Sequence, residues 1–346
     1  MNDDRENNIY KPKAGGIILA VILLVLVVAV ILLVVFVISK DPAKKPADDT
    51  NDAQNTTTAA DTDPQTDITT AEPDVGPDPV FPSGITSSEL NLPLDDVYKG
   101  SLLLIDASNP YRVDESLLLS RTKMSELTDS QRLSTYNFAN VSSGAVNTYK
   151  VKGYTGYYLD ADALEAFKNM MSDYVKEKGN RDVQVRNAYY YDPSEEICLN
   201  ATGLVVDLEI NSESEGKTYP LKYASKKADY YDWFLENSHK YGFIHIGDGK
   251  NSAGTDIYSS FRFVGEGHAS YIKEKGVTLE AYLQFIKNYS FDDRFIYDSS
   301  AKEWWIYYAP AVGDINKVTV IGDKYTVSGN NVDGYVVAIK ASELGK

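Results

Sequence analysis

From Ile17 to Ile38 the chain runs through 22 consecutive apolar residues without a charge or a helix breaker. At about 1.5 Å of rise per residue such a run spans roughly 33 Å, the depth of a bilayer core. It is too long for a signal-peptide core, and no small-residue cleavage site follows it. The sequence therefore predicts a transmembrane helix over 17–38, a short N-terminal segment over 1–16, and a soluble remainder. Arg5, Lys11 and Lys13 precede the span, and Lys40, Lys44 and Lys45 follow it. A count of basic residues alone therefore leaves the orientation undecided.

Behind the span lies a stretch that cannot fold by itself. Between Asp41 and Val80 there are ten acidic residues and two lysines, set among Thr, Pro and Ala, with almost no large side chain to bury. Such a composition does not offset the entropy of ordering, so residues 39–83 read as an extended, self-repelling acidic stalk. The chain's net charge of −16 argues against nucleic acid as a partner, and about half of it lies in this stalk. Cys198 is the single cysteine. A disulfide within the chain and a Cys-x-x-Cys metal or redox motif are excluded, and Cys198 reads as a small apolar residue.

Globular composition begins near Ile85. Leu102 to Ile105 is a short apolar run, read as a buried strand. Asp160 to Lys178 is an amphipathic helix, with an aspartate to cap it, Leu164, Phe167, Met171 and Tyr174 on one face, and Gly179 to end it. Val183–Ala188 and Gly203–Ile210 have strand patterns, and Ala228–Tyr241 and Leu279–Ile286 have helical ones. From Glu303 onward the chain changes. Trp304–Tyr308, Val318–Val320, Tyr325–Val327 and Tyr335–Ile339 are separated by Gly322-Asp323, Ser328–Asn331 and Asp333-Gly334, the pattern of a small antiparallel β unit. The expected fold class is α+β, with a folded domain over 84–290 and a C-terminal β extension over 291–346.

Several segments in order carry a family resemblance. Cys198-Leu199-Asn200-Ala201-Thr202-Gly203-Leu204-Val205-Val206-Asp207 resembles the S-x-H-x-x-G-x-x-x-D metal motif of the VanY-type zinc D-Ala-D-Ala carboxypeptidases. Val185–Tyr191 falls where that family has a strand ending in S-G-Y-R-S. Trp233–Ile244 is similar to W-L-x-x-N-A-x-x-Y-G-F, and Ile257–Gly265 to E-P-W-H-F-R-Y-V-G. His268-Ala269 and Leu279–Leu283 match the closing helices. The resemblance covers roughly 102–286. It implies a peptidoglycan-peptidase fold, a small antiparallel sheet flanked by helices, with the domain outside the cell and residues 1–16 as a cytoplasmic N-terminus.

The same resemblance implies that the chemistry is largely gone. The family's three zinc ligands, two histidines and an aspartate, fall on Asn200, Asp207 and Ser260. Its general-base glutamate falls on Ile257, and its substrate-facing arginine on Tyr190. Asn and Ser are poor zinc ligands and isoleucine moves no proton, so Asp207 is the one surviving metal ligand. The expectation is a membrane-anchored, wall-facing, catalytically degenerate carboxypeptidase-like protein that binds a peptidoglycan stem peptide or a cell-wall protein and holds no cofactor. Its groove candidates are Tyr189, Tyr190, Asn200, Thr202, His245, Ser260 and Arg262.

Two further readings stand beside this one. One is an active D,D-carboxypeptidase that holds zinc in a non-standard site, for which His245, Asp207 and Cys198 are the available groups. The other is a structural scaffold at the cell surface. A buried Asp207 has a plain reading too, in which Asn200 or Ser260 supplies hydrogen bonds where imidazoles and metal once did.

Overall fold

The computed structural model describes residues 86–142, 149–152, 156–195, 197–223, 228–299 and 302–344. The predicted span 17–38 and stalk 39–83 lie outside these residues. Among the described residues no helix is long and apolar enough to cross a membrane.

The chain enters as strand β1 (Ser87–Pro93) and then runs in irregular backbone through Leu102–Ile105. Two short helices follow, α1 (Arg121–Glu126) and α2 (Asp129–Tyr136). Strands β2 (Phe138–Asn140), β3 (Lys150–Val151) and β4 (Tyr158–Asp160) lead into helix α3 (Ala161–Lys178). Asp160 caps α3 by accepting from the backbone N–H groups of Asp162 and Ala163, and Gly179 closes it in the left-handed region.

The main sheet follows. It is built from β5 (Val183–Asn187), β6 (Val205–Ser212), β7 (Lys217–Pro220), β8 (Phe243–Lys250) and β9 (Asp256–Phe263). Its order is β3-β5-β6-β9-β8, with β7 also on β6, and every pairing except β3 with β5 is antiparallel. Side chains alternate across it. Val183, Val185, Val206, Leu208, Ile210 and Phe261 point to one face. There they meet Leu164, Phe167, Met171 and Tyr174 of α3, and Trp233 and Phe234 of α4 (Ala228–Asn237), in one buried core. Asp207 and Glu209 alternate with those β6 residues and point to the opposite face, where both are buried.

Helices α5 (Glu266–Lys275) and α6 (Leu279–Ile286) precede the tail strands β10 (Phe295–Ser299), β11 (Lys302–Pro310), β12 (Ile315–Ile321), β13 (Thr326–Gly329) and β14 (Gly334–Lys340). Four of these form the antiparallel sheet β10-β11-β14-β13. Ile306, Val336 and Ala338 turn one face toward α5 and α6, while Trp305, Tyr307, Val337 and Ile339 pack the other face against Val318 and Val320 of β12.

The tail unit is therefore not made of C-terminal residues alone. β1 pairs with β12 over its whole length. Leu102–Ile105 is buried as expected but is no strand. Its backbone is satisfied by the Ser328 hydroxyl, the Asn330 carbonyl and the Asn331 side-chain amide rather than by a ladder. A second difference lies at Ala228–Tyr241, where the α-helix ends at Asn237 and the last turn, Ser238–Tyr241, tightens to a 3₁₀ helix closed by Gly242.

Candidate functional site

Three neighbouring strands bring Asn187, Asp207 and Ser260 into one row: Asn187 of β5 lies opposite Asp207 of β6, which lies opposite Ser260 of β9. A bulge between Val185 and Asn187 sets the first of these pairings. Asn200 reaches the same point from the 3₁₀ turn Leu199–Thr202, which Gly203 closes at φ +72°. Only glycine suits that position, because a Cβ there would also run into the Phe138 ring.

The Asp207 carboxylate is 1% exposed and fully committed. Ser260 Oγ donates to Oδ1 at 2.7 Å. Asn187 Nδ2 donates to Oδ2 at 3.1 Å, and Asn200 Nδ2 lies 3.5 Å from the same oxygen while donating to the Ala188 carbonyl at 2.9 Å. Burial pushes the carboxyl up to about 6, and these three donors together with the nearby Arg186 offset only part of the shift. Two residues along β6, Glu209 is equally sealed. It is paired with Arg186 at 2.7 Å and Lys152 at 2.9 Å, and Gln184 also donates to it. Arg186 lies over the Tyr258 ring at 5.4 Å from its centroid.

On the other side of the row stand Tyr190, Tyr157 and Arg121. Arg121 Nη2 donates to Asn187 Oδ1 at 3.3 Å, so one amide joins that guanidinium to the Asp207 carboxylate. Cys198 donates its thiol to the Tyr190 carbonyl, and burial pushes the thiol up to about 11, which leaves it protonated and unreactive.

No protein-family model matches the chain. A curated D-alanyl-D-alanine carboxypeptidase of Enterococcus faecium is 24% identical over 277 residues, which span 73% of this chain and 79% of that protein. The crystal structure of the vancomycin resistance D,D-dipeptidase VanXYg, in complex with a D-Ala-D-Ala phosphinate analog, superposes with a TM-score of 0.50 at 20% identity. It covers 74% of this chain and 99% of its own. In sequence and in fold the chain thus resembles the VanY-type peptidoglycan peptidases. A D,D-pentapeptidase VanY solved in complex with Zn(II) aligns with 41% of this chain and 92% of its own at 19% identity, but its TM-score of 0.28 is too low to argue from.

The donors present do not fit a VanY-type zinc site. The two oxygens of Asp207 already accept from a hydroxyl and two amides, and an amide nitrogen that donates a proton has no lone pair for a metal. Among the described residues no three His, Cys, Asp or Glu side chains gather around a point. Ile257, at the base position, is half-buried in β9.

The remaining groove candidates are dispersed. Tyr190 stays at the row's edge, its hydroxyl donating to Glu195. Tyr189 is buried against Phe138, with its hydroxyl on the Leu119 carbonyl. Thr202 bonds within its own turn. These two residues line a cavity of about 1130 Å³, also bounded by Phe138, Leu204 and His268, which does not include Asp207. His245 sits beside Phe261 and Tyr231, on the helix-covered face of the sheet, and Asp207 is on the other face. The proposed grouping of His245, Asp207 and Cys198 therefore does not assemble. Arg262 is buried and spends its guanidinium on the carbonyls of Ser101 and Leu103, tying the sheet to the irregular segment.

Asn187, Arg186 and Arg121 belong to the site but were not among the sequence candidates. For Arg186 a signal existed, since Val183 and Val185 point inward and strand alternation turns Gln184 and Arg186 toward Asp207's face. Asn187 lies beyond the bulge, where simple alternation fails. Arg121 arrives from 66 residues upstream on a six-residue helix, and no local pattern places it.

Proposed function

We propose that this chain is a membrane-anchored, wall-facing D-Ala-D-Ala carboxypeptidase-like protein that binds peptidoglycan stem peptides, or a protein of the wall, without cutting them. The relationship to a D-alanyl-D-alanine carboxypeptidase supports the peptide class. The apolar run Ile17–Ile38 and the acidic stretch after it support an anchor and a stalk.

The observation that carries the loss of cleavage is the bonding of Asp207. Where hydrolysis needs two imidazoles, a metal and a carboxylate base, the chain has an amide, a hydroxyl and Ile257, and the first two donate to Asp207 themselves. A buried carboxylate stripped of its metal needs such donors, and the replacements supply them. What remains beside the sealed Asp207 is a half-buried polar strip of Asn187, Arg121 and Arg186 edged by Tyr190 and Tyr258, which suits recognition of a short polar peptide.

The test is calorimetry of the full-length protein with a tripeptide ending in D-Ala-D-Ala, together with elemental analysis and an assay for released D-alanine in zinc-containing buffer. Heat of binding without D-alanine and without stoichiometric zinc is the expected result. Zinc near one per chain, with hydrolysis that a chelator and Asp207→Ala both abolish, would overturn it.

A further inference from the structure

We propose that Arg121 is an anion-binding residue that receives the terminal carboxylate of a peptide laid along the Asp207 row. The ligand rests on the peptide-binding reading above. The site itself rests on the surroundings of Arg121.

Those surroundings leave the guanidinium unsatisfied. It stacks on Tyr157, 4.8 Å from the ring centroid, and faces Tyr190 at 5.9 Å. Among the described residues its one hydrogen bond is the 3.3 Å contact from Nη2 to the neutral amide oxygen of Asn187. Nε is buried without a partner. Nη1, at the end of the fork, has no partner among the described residues but is not sealed off as Nε is. No carboxylate pairs with Arg121 among the described residues, although the chain carries 50 acidic residues against 34 basic ones. Arg132 and Arg186 do have carboxylate partners, Asp129 and Glu209.

A half-buried guanidinium between two aromatic rings is a cation that presents a planar fork. A carboxylate is the ligand that matches such a fork with two parallel, charge-assisted bonds. Among the described residues no carboxylate supplies its counter-charge, and the ligand would supply it. Asn187 acts as a positioning residue: its oxygen holds Nη2 while its nitrogen holds Asp207, which fixes the cation beside the row and keeps the two charges apart. Arg186 cannot take this role, because Glu209 already neutralises it.

The experiment compares the full-length protein with Arg121→Gln and Arg121→Lys, using calorimetry with a D-Ala-D-Ala-terminated tripeptide and its C-terminal amide. A charge-assisted pair is worth roughly ten- to a hundredfold in affinity. The expected result is that the unsubstituted protein prefers the acid over the amide by a factor in that range. Arg121→Gln should bind the two forms equally, and Arg121→Lys should retain part of the preference. Equal binding of acid and amide by the unsubstituted protein, or a preference that survives Arg121→Gln, overturns the proposal.

If neither tripeptide binds, the peptide-binding reading fails, and N-acetyl-alanine with its amide then decides the fate of Arg121 on its own. A shift of the Arg121 Nε–H resonance with the acid alone sustains the carboxylate site, and no shift sinks it.

Discussion

The two faces of the main sheet are built by different rules. On the inner face Val206, Leu208 and Phe261 interlock with Phe167, Tyr174 and Phe234, and every one of these side chains is essentially unexposed. On the outer face, on the same strands and one residue out of step, Asp207 and Glu209 are just as buried but are held by directed bonds to Asn187, Asn200, Ser260, Arg186 and Lys152. The inner face is governed by volume and shape, which admit few substitutes. The outer face meets a different requirement, which is that each buried acceptor finds a donor.

The largest expected effect tests whether the outer face is one step from a metal site. Asn200→His with Ser260→His places an imidazole at each of the two positions that now donate to Asp207. The double variant should take up zinc near one per chain with a Kd below about 1 µM, a standard binding free energy of roughly −8 kcal/mol. Adding Asp207→Ala should remove the metal again, as read by elemental analysis. A double variant that stays metal-free would mean that the outer face has drifted from ligand geometry as well as from ligand chemistry.

The inner face should answer to volume alone. Phe234→Ala opens a void among Tyr174, Trp233 and Phe261 and should cost about 3–5 kcal/mol in urea unfolding. Phe234→Leu should recover much of that. A loss below about 1 kcal/mol for the alanine variant would show that the core relaxes freely, and the contrast between the faces would weaken.

How much of this was legible in the sequence follows the same division. Helix α3 was readable from cap to cap, since Asp160, the Leu164–Phe167–Met171–Tyr174 stripe and Gly179 are local signals. The tail strands were readable from alternation and turns. Leu102–Ile105 misled because a short apolar run says "buried" without saying what satisfies its backbone. The answer lies more than 200 residues away, at Ser328, Asn330 and Asn331. The positions of Asn200, Asp207 and Ser260 could be inferred from the family motif, but their mutual bonds needed the strand register. The route from Arg121 through Asn187 to Asp207 depends on a bulge and on the docking of α1, and neither leaves a periodic trace.

The smallest expected effect concerns what it costs to bury Asp207. Its folded carboxyl titrates near 6, against about 3.9 in an unfolded chain. Between those values the native state holds a proton that the unfolded state has released. The stability contribution of the neutral group is therefore complete below about pH 4 and is lost as pH rises through 6, by about 3 kcal/mol in all. Asp207→Asn cannot titrate, so its stability relative to the unsubstituted protein should improve by about that amount between pH 4 and pH 7.5, as read by urea unfolding at both. Ser260→Ala, which removes the 2.7 Å donor, should widen the swing, because ionised Asp207 would then be buried with two donors instead of three. A gap between Asp207→Asn and the unsubstituted protein that does not move with pH would mean that water reaches the carboxylate. The outer face would then be an open polar surface rather than a sealed one, and its likeness in burial to the inner face would be lost.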